Sequence, residues 1–222
     1  MQSKRVNIFM GHYGSGKTFV AVNYALSLAR QNLPVSIYDL DIVNPYFRTV
    51  DAEKVLKNSG VELVVSPFAE TNVDIPAMNA SSYKITDDLT KYAVVDIGGD
   101  DRGALALGRF RDKIIEENNY DAFLVVNCFR YETRTIQDAI NMKNDIEKSA
   151  KIKFTSIVNN ANLGIETSIE SILKGYEFCK ELSKNIELPV AFTSVRQDLI
   201  TEQLKQKLEN ILPIVPIEYK QW

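Results

Sequence analysis

The feature that most constrains this chain is a series of short apolar runs rich in β-branched residues. They lie at Arg5 to Met10, Val35 to Asp39, Val61 to Ser66, Tyr92 to Ile97, Phe123 to Asn127, Phe154 to Asn159 and Val190 to Thr193. Most lack the polar alternation of a half-exposed sheet, which is the pattern of strands buried on both faces. Between them, apolar residues recur at three- and four-residue spacing over Phe19 to Arg30, Ala104 to Asn118, Thr133 to Ser149, Thr167 to Lys184 and Asp198 to Asn210. This alternation predicts an α/β fold in three layers, a doubly wound and mostly parallel sheet of about seven strands. A length of 222 residues suits one domain over 1–222. Only 67–88 breaks the rhythm, with Pro67, Pro76, Asn79, Ser81 and Ser82, and reads as an irregular insertion, either a lid or a decorated crossover.

Where the first run ends, Gly11-His12-Tyr13-Gly14-Ser15-Gly16-Lys17-Thr18 matches G-x-x-x-x-G-K-[ST] without deviation. A strand before it and a helix after it let successive backbone N–H groups wrap a phosphate at a helix N-terminus. Lys17 is then the cation for the β- and γ-phosphates, and the Thr18 hydroxyl is a ligand for Mg²⁺. His12 is either a catalytic imidazole beside the triphosphate or a solvent-facing loop residue.

Acidic partners stand at two later strand ends. Tyr92 to Ile97 carries Asp96 and is followed by Gly98 and Gly99, the form of a strand that fixes a magnesium-bound water and senses the γ-phosphate. Asp39-Leu40-Asp41 closes the second run, and strand alternation sends its two carboxylates the same way. One would orient the attacking water and the other would support the metal shell, making Thr18, Asp39, Asp41 and Asp96 the candidate metal set. Arg48, Asp101 and Arg102 are either arginine fingers or switch contacts, or solvated surface charges.

In this order, the motifs resemble the MinD/ParA and CobQ/CobB group of P-loop ATPases, within the SIMIBI class of P-loop NTPases. The likeness extends to bacterial ATP-binding proteins with a similar phosphate loop and a similar Asp39 to Arg48 segment. The resemblance implies a mostly parallel seven-stranded sheet, ATP and Mg²⁺ as ligands, and ATP-driven dimerisation. It also implies catalytic roles for Lys17, Asp41 and Gly99, with Asp41 aligning the hydrolytic water and Asn159 reading adenine. Asn160 and Asn162 stand where a guanine reader would carry lysine and aspartate, which favours ATP over GTP. The chain departs from the group at His12, where a signature lysine is usual, and it lacks a bridging cysteine pair and a MinD-like anchor.

Composition narrows the partners. A net charge of −3 offers no global field for nucleic acid or anionic lipid. Cys128 and Cys179 read as reduced core thiols, no run reaches the roughly 20 apolar residues that span a bilayer, and cytoplasmic residence is expected. Leu212 to Ile217 is broken by Pro213 and Pro216 and cannot form an amphipathic membrane helix. The functions left open are a slow ATPase switch for a protein partner, an ATP-dependent metabolite enzyme with Asn44, Tyr46 and Arg48 near its substrate, and a nucleotide-binding module without turnover.

Overall fold

The computed structural model describes residues 3–41, 48–65, 80–99 and 101–216. Eight strands form one wholly parallel sheet: β1 (Val6–Met10), β2 (Val35–Leu40), β3 (Glu62–Val65), β4 (Tyr92–Ile97), β5 (Tyr120–Val126), β6 (Ser156–Asn159), β7 (Val190–Arg196) and β8 (Ile211–Ile214). Their spatial order is β3-β2-β4-β1-β5-β6-β7-β8. From β1 the chain winds outward to β2 and β3, returns through β4, and then winds the other way from β5 to β8. The reversal around β1 opens a crevice at the carboxyl ends of the strands, the place where open α/β sheets hold their ligands.

Side-chain alternation explains the three layers. Val6, Ile8 and Met10 of β1 pack into a cluster with Phe110, Ile114, Ala139 and Leu182. These belong to, or flank, the helices α5 (Arg111–Glu117), α6 (Ile136–Ala150) and α7 (Ile169–Ile186). Phe9 faces the opposite cluster, which contains Val20, Ala21, Ala25 and Leu28 of α1 (Lys17–Ala29). Both faces of each central strand are therefore buried, as the unbroken apolar runs required.

Several expected boundaries shift for identifiable reasons. The eighth strand was hidden by Pro213, which sits opposite Val195 on an edge strand, where a missing N–H is tolerated. The helix expected over Ala104 to Asn118 is two helices, α4 (Asp101–Gly108) and α5, interrupted at Arg109 and Phe110. Of the segment 67–88, residues 67–79 lie outside the described residues. The remainder forms a 3₁₀ turn, Ala80–Tyr83, and the short helix α3 (Lys84–Asp87), whose Ile85 is fully buried. A further 3₁₀ turn, Thr49–Ala52, runs into α2 (Glu53–Asn58), and α8 (Glu202–Lys207) is shorter than its pattern suggested. Among the described residues, no helix is long and apolar enough to cross a membrane.

The strand–helix contact between β6 and α7 is very close. A Cβ on Gly175 would lie 2.2 Å from the Ala161 Cβ and 2.6 Å from Asn159 Oδ1. Gly175→Ala is expected to destabilise the fold by about 1–3 kcal/mol, as overpacked cores do. A urea-unfolding midpoint equal to that of the parent would show that the contact is not tight.

Candidate functional site

The loop after β1 turns on a hydrogen bond from the Ser15 N–H to the His12 carbonyl, 3.1 Å. It enters α1 through Gly16 at φ 84°, a left-handed conformation that favours glycine. A Cβ there would also lie 2.3 Å from Asn160 Nδ2. No side chain caps α1, whereas Thr135, Ser168 and Thr201 cap α6, α7 and α8. An N-cap glycine offers no side chain to the first turn of α1, and a helix N-terminus of this kind is suited to an anion. Lys17 is buried and its Nζ reaches back to the His12 carbonyl, 3.5 Å away.

The two expected aspartates meet as neighbours. Asp39 of β2 is in register with Asp96 of β4, and alternation puts both on the α1 face beside Thr18. Asp96 is fully buried, and burial, followed by the nearby Asp39 charge, lifts its pKa to about 7 against the pull of Lys17 and Thr18. Asp39, also buried, is raised to about 6 by desolvation, partly offset by Arg48. Arg48 Nη2 lies 3.2 Å from Asp39 Oδ2, Thr49 Oγ1 donates to Asp96 Oδ2 at 3.0 Å, and the Asp41 N–H donates to Asp39 Oδ1 at 3.0 Å. Among the described residues, Asp96 Oδ1 is buried with no hydrogen-bond partner.

That orphaned oxygen fits a hydrated cation. No group of three or more His, Cys, Asp or Glu among the described residues could cage a metal alone. Mg²⁺ keeps several waters and binds through one or two protein groups and the phosphates. Thr18 and Asp96 are the nearest candidates, with Asp39 held by Arg48 behind them.

Other expected residues fall into place differently. Gly99 packs on the loop, where a Cβ would lie 2.6 Å from the Tyr13 nitrogen. His12 donates from Nδ1 to the Tyr13 carbonyl at 2.8 Å and stands 3.6 Å from Glu132, while Tyr13 is exposed. Asn159 does not face the loop. It is fully buried on the α7 side, with Oδ1 accepting from the Ala161 N–H at 3.1 Å and Nδ2 near the Ile172 carbonyl at 3.3 Å. Asn160, one residue on, turns to the opposite side, donates from Nδ2 to the Ser15 carbonyl at 2.6 Å and accepts from Ser194. Asn44 and Tyr46 lie outside the described residues, as do the side chains of Asp101 and Arg102.

Thr49, Asn160 and Arg130 escaped the sequence reading. Arg130, in the turn after β5, holds its Nε 3.8 Å from where a Gly14 Cβ would stand, over the middle of the loop. Only the asparagine pair carried a signal, and strand periodicity could not settle which member faced the loop.

No protein-family model matches the chain, and no curated protein matches it. Solved structures do. The signal recognition particle receptor FtsY from Elizabethkingia anophelis, in complex with GDP, aligns over 88% of this chain and 58% of its own at 17% identity, TM-score 0.55. The cell division protein FtsY from Thermotoga maritima aligns over 87% and 62% at 14% identity, TM-score 0.57. Its fold is that of the P-loop NTPases. FlhF complexed with GTP and Mg²⁺ aligns over 89% and 68% at 14% identity, TM-score 0.53. The chain spans about three fifths of the length of the first of these structures. At 14–17% identity, these structures share the fold of the chain.

The raised carboxylates set a pH dependence. The folded protein keeps protons on Asp96 and Asp39 that the unfolded chain releases near pH 4. Their contribution therefore falls as pH rises from about 4 to about 7. Asp96→Asn is expected to flatten this part of the denaturation-midpoint profile in nucleotide-free protein. An unchanged slope would remove Asp96 as its source.

Proposed function

We propose that the chain is a Mg²⁺-dependent nucleoside-triphosphate switch that hydrolyses its nucleotide slowly in the cytoplasm. The observation that carries this reading is the uncapped start of α1 at Gly16, with Lys17 and Thr18 placed beside the orphaned Asp96 oxygen. The loop N–H groups and Lys17 bind the phosphates, and Arg130 adds positive charge over Gly14. When bound, Mg²⁺ would offset the charge of the phosphates. Thr18 and Asp96 would hold it, and Asp41, just after β2, would orient the attacking water. Gly99, pressed against His12 and Tyr13, passes the state of the γ-phosphate to the chain that follows β4. This ordering would present or hide a surface for a partner, which includes a second copy of the chain.

Lys17→Ala is expected to weaken triphosphate binding at least about 100-fold, a loss of roughly 2.7 kcal/mol. Asp41→Ala should retain binding while hydrolysis drops about 10²–10⁴-fold, the contribution of a positioned base. Fluorescent-nucleotide titration and single-turnover phosphate release separate the two effects. Undiminished turnover in Lys17→Ala protein would sink the mechanism. Light scattering of Asp41→Ala protein with and without nucleotide tests dimerisation, for which a monomer in both states is the negative result.

ATP is the proposed nucleotide, because residues 160–163 after β6 offer no carboxylate for the paired donors of guanine. Asn159, buried on the far side, no longer supports that choice. GTP is the second reading, favoured by neighbours solved with GDP and with GTP and Mg²⁺. Competition of unlabelled ATP and GTP for one fluorescent triphosphate decides between them, with at least tenfold tighter ATP expected.

A further inference from the structure

Next to the phosphate loop lies a cavity of about 470 Å³ that extends from the loop to α6. The volume falls within the range of small-molecule sites, about 300–1,000 Å³. One wall is the beginning of the loop, Gly11 and His12, with Gly98 and Gly99. The other is a face of α6 whose residues 138, 142, 145 and 146 follow helical spacing. The interior is apolar, with Met10, Ile97, Met142 and Ile146, whereas Glu132, Asp138 and Asp145 bring three carboxylates to its lining.

Charge distinguishes the occupants. Among the described residues, the lining holds one permanent cation, Arg134, whose guanidinium lies over the Tyr131 ring, 5.6 Å from its centre. His12 stands 3.6 Å from Glu132 and balances it only when protonated. Asp138 accepts from Thr135, a neutral partner, and the ion pair along α6 joins Lys143 to Glu147, leaving Asp145 out. An anionic ligand would meet like charge here. A wholly apolar one would strip water from carboxylates without replacing it.

We propose that this cavity binds a small amine-bearing organic molecule, its apolar body between Met10 and Met142 and its ammonium toward Glu132, Asp138 and Asp145. The site is coupled to the phosphate loop because Gly98, Gly99 and His12 belong to both, and Gly99 has no room to move toward Tyr13. This coupling rests on the nucleotide reading above. It is reciprocal, so the factor by which nucleotide changes amine affinity equals the factor by which amine changes nucleotide affinity.

Calorimetric titration of the full chain with cyclohexylammonium, cyclohexanol and cyclohexanecarboxylate tests the site. Saturable binding of the ammonium is expected, at least tenfold tighter than either other probe and at least tenfold weaker in Asp145→Asn and Glu132→Gln proteins. Absence of saturable binding, equal affinity for the three probes, or indifference to both substitutions would overturn the site. Repeating the titration with Mg²⁺ and triphosphate should change the ammonium affinity, and an unchanged value would overturn the coupling. Failure of the triphosphate to bind would instead defeat the nucleotide reading and the coupling, with the first titration still deciding the amine site.

Discussion

Two buried carboxylates on adjacent parallel strands set the terms for everything around them. Asp39 and Asp96 are in register, and burial raises both pKa values, Asp39 to about 6 and Asp96, with the Asp39 charge adding, to about 7. Such a pair costs stability unless positive charge is brought to it. The fold supplies Arg48 to Asp39 and Lys17 near Asp96, with the Thr18 and Thr49 hydroxyls beside the latter. One oxygen of Asp96 is still left over.

The loop beside the carboxylates is held from several directions. Asn160 ties the Ser15 carbonyl to the end of β6 and, through Ser194, to β7. Gly99 fits against His12 and Tyr13 with no space for a side chain. Arg130 covers Gly14 from the turn after β5. A loop braced by three strand ends reports movement to each of them, which is the physical basis of the proposed switch and of the proposed link to the neighbouring cavity.

Much of the fold was legible because its signals are local. Apolar runs without alternation marked strands buried on both faces, and the helical spacing between them marked the layers. The eighth strand was lost because proline argues against a strand unless one knows that the strand lies at an edge. The split at Arg109 and Phe110 was lost because both halves keep the same apolar spacing. The aspartates were legible through their position at strand ends, whereas the meeting of Asp39 with Asp96 came from the register of β2 with β4.

By itself, the sequence determined the layered parallel fold and marked the glycine-rich loop from Gly11 to Thr18 and the acidic strand ends, since each depends on contiguous residues and short periods. The tertiary structure alone decided that Asn160 rather than Asn159 meets the loop, that Arg48 is spent on Asp39, and that Thr49 and Arg130 join the site. Those outcomes depend on the register between strands far apart in the chain, and a one-residue step in a strand turns a side chain to the opposite face.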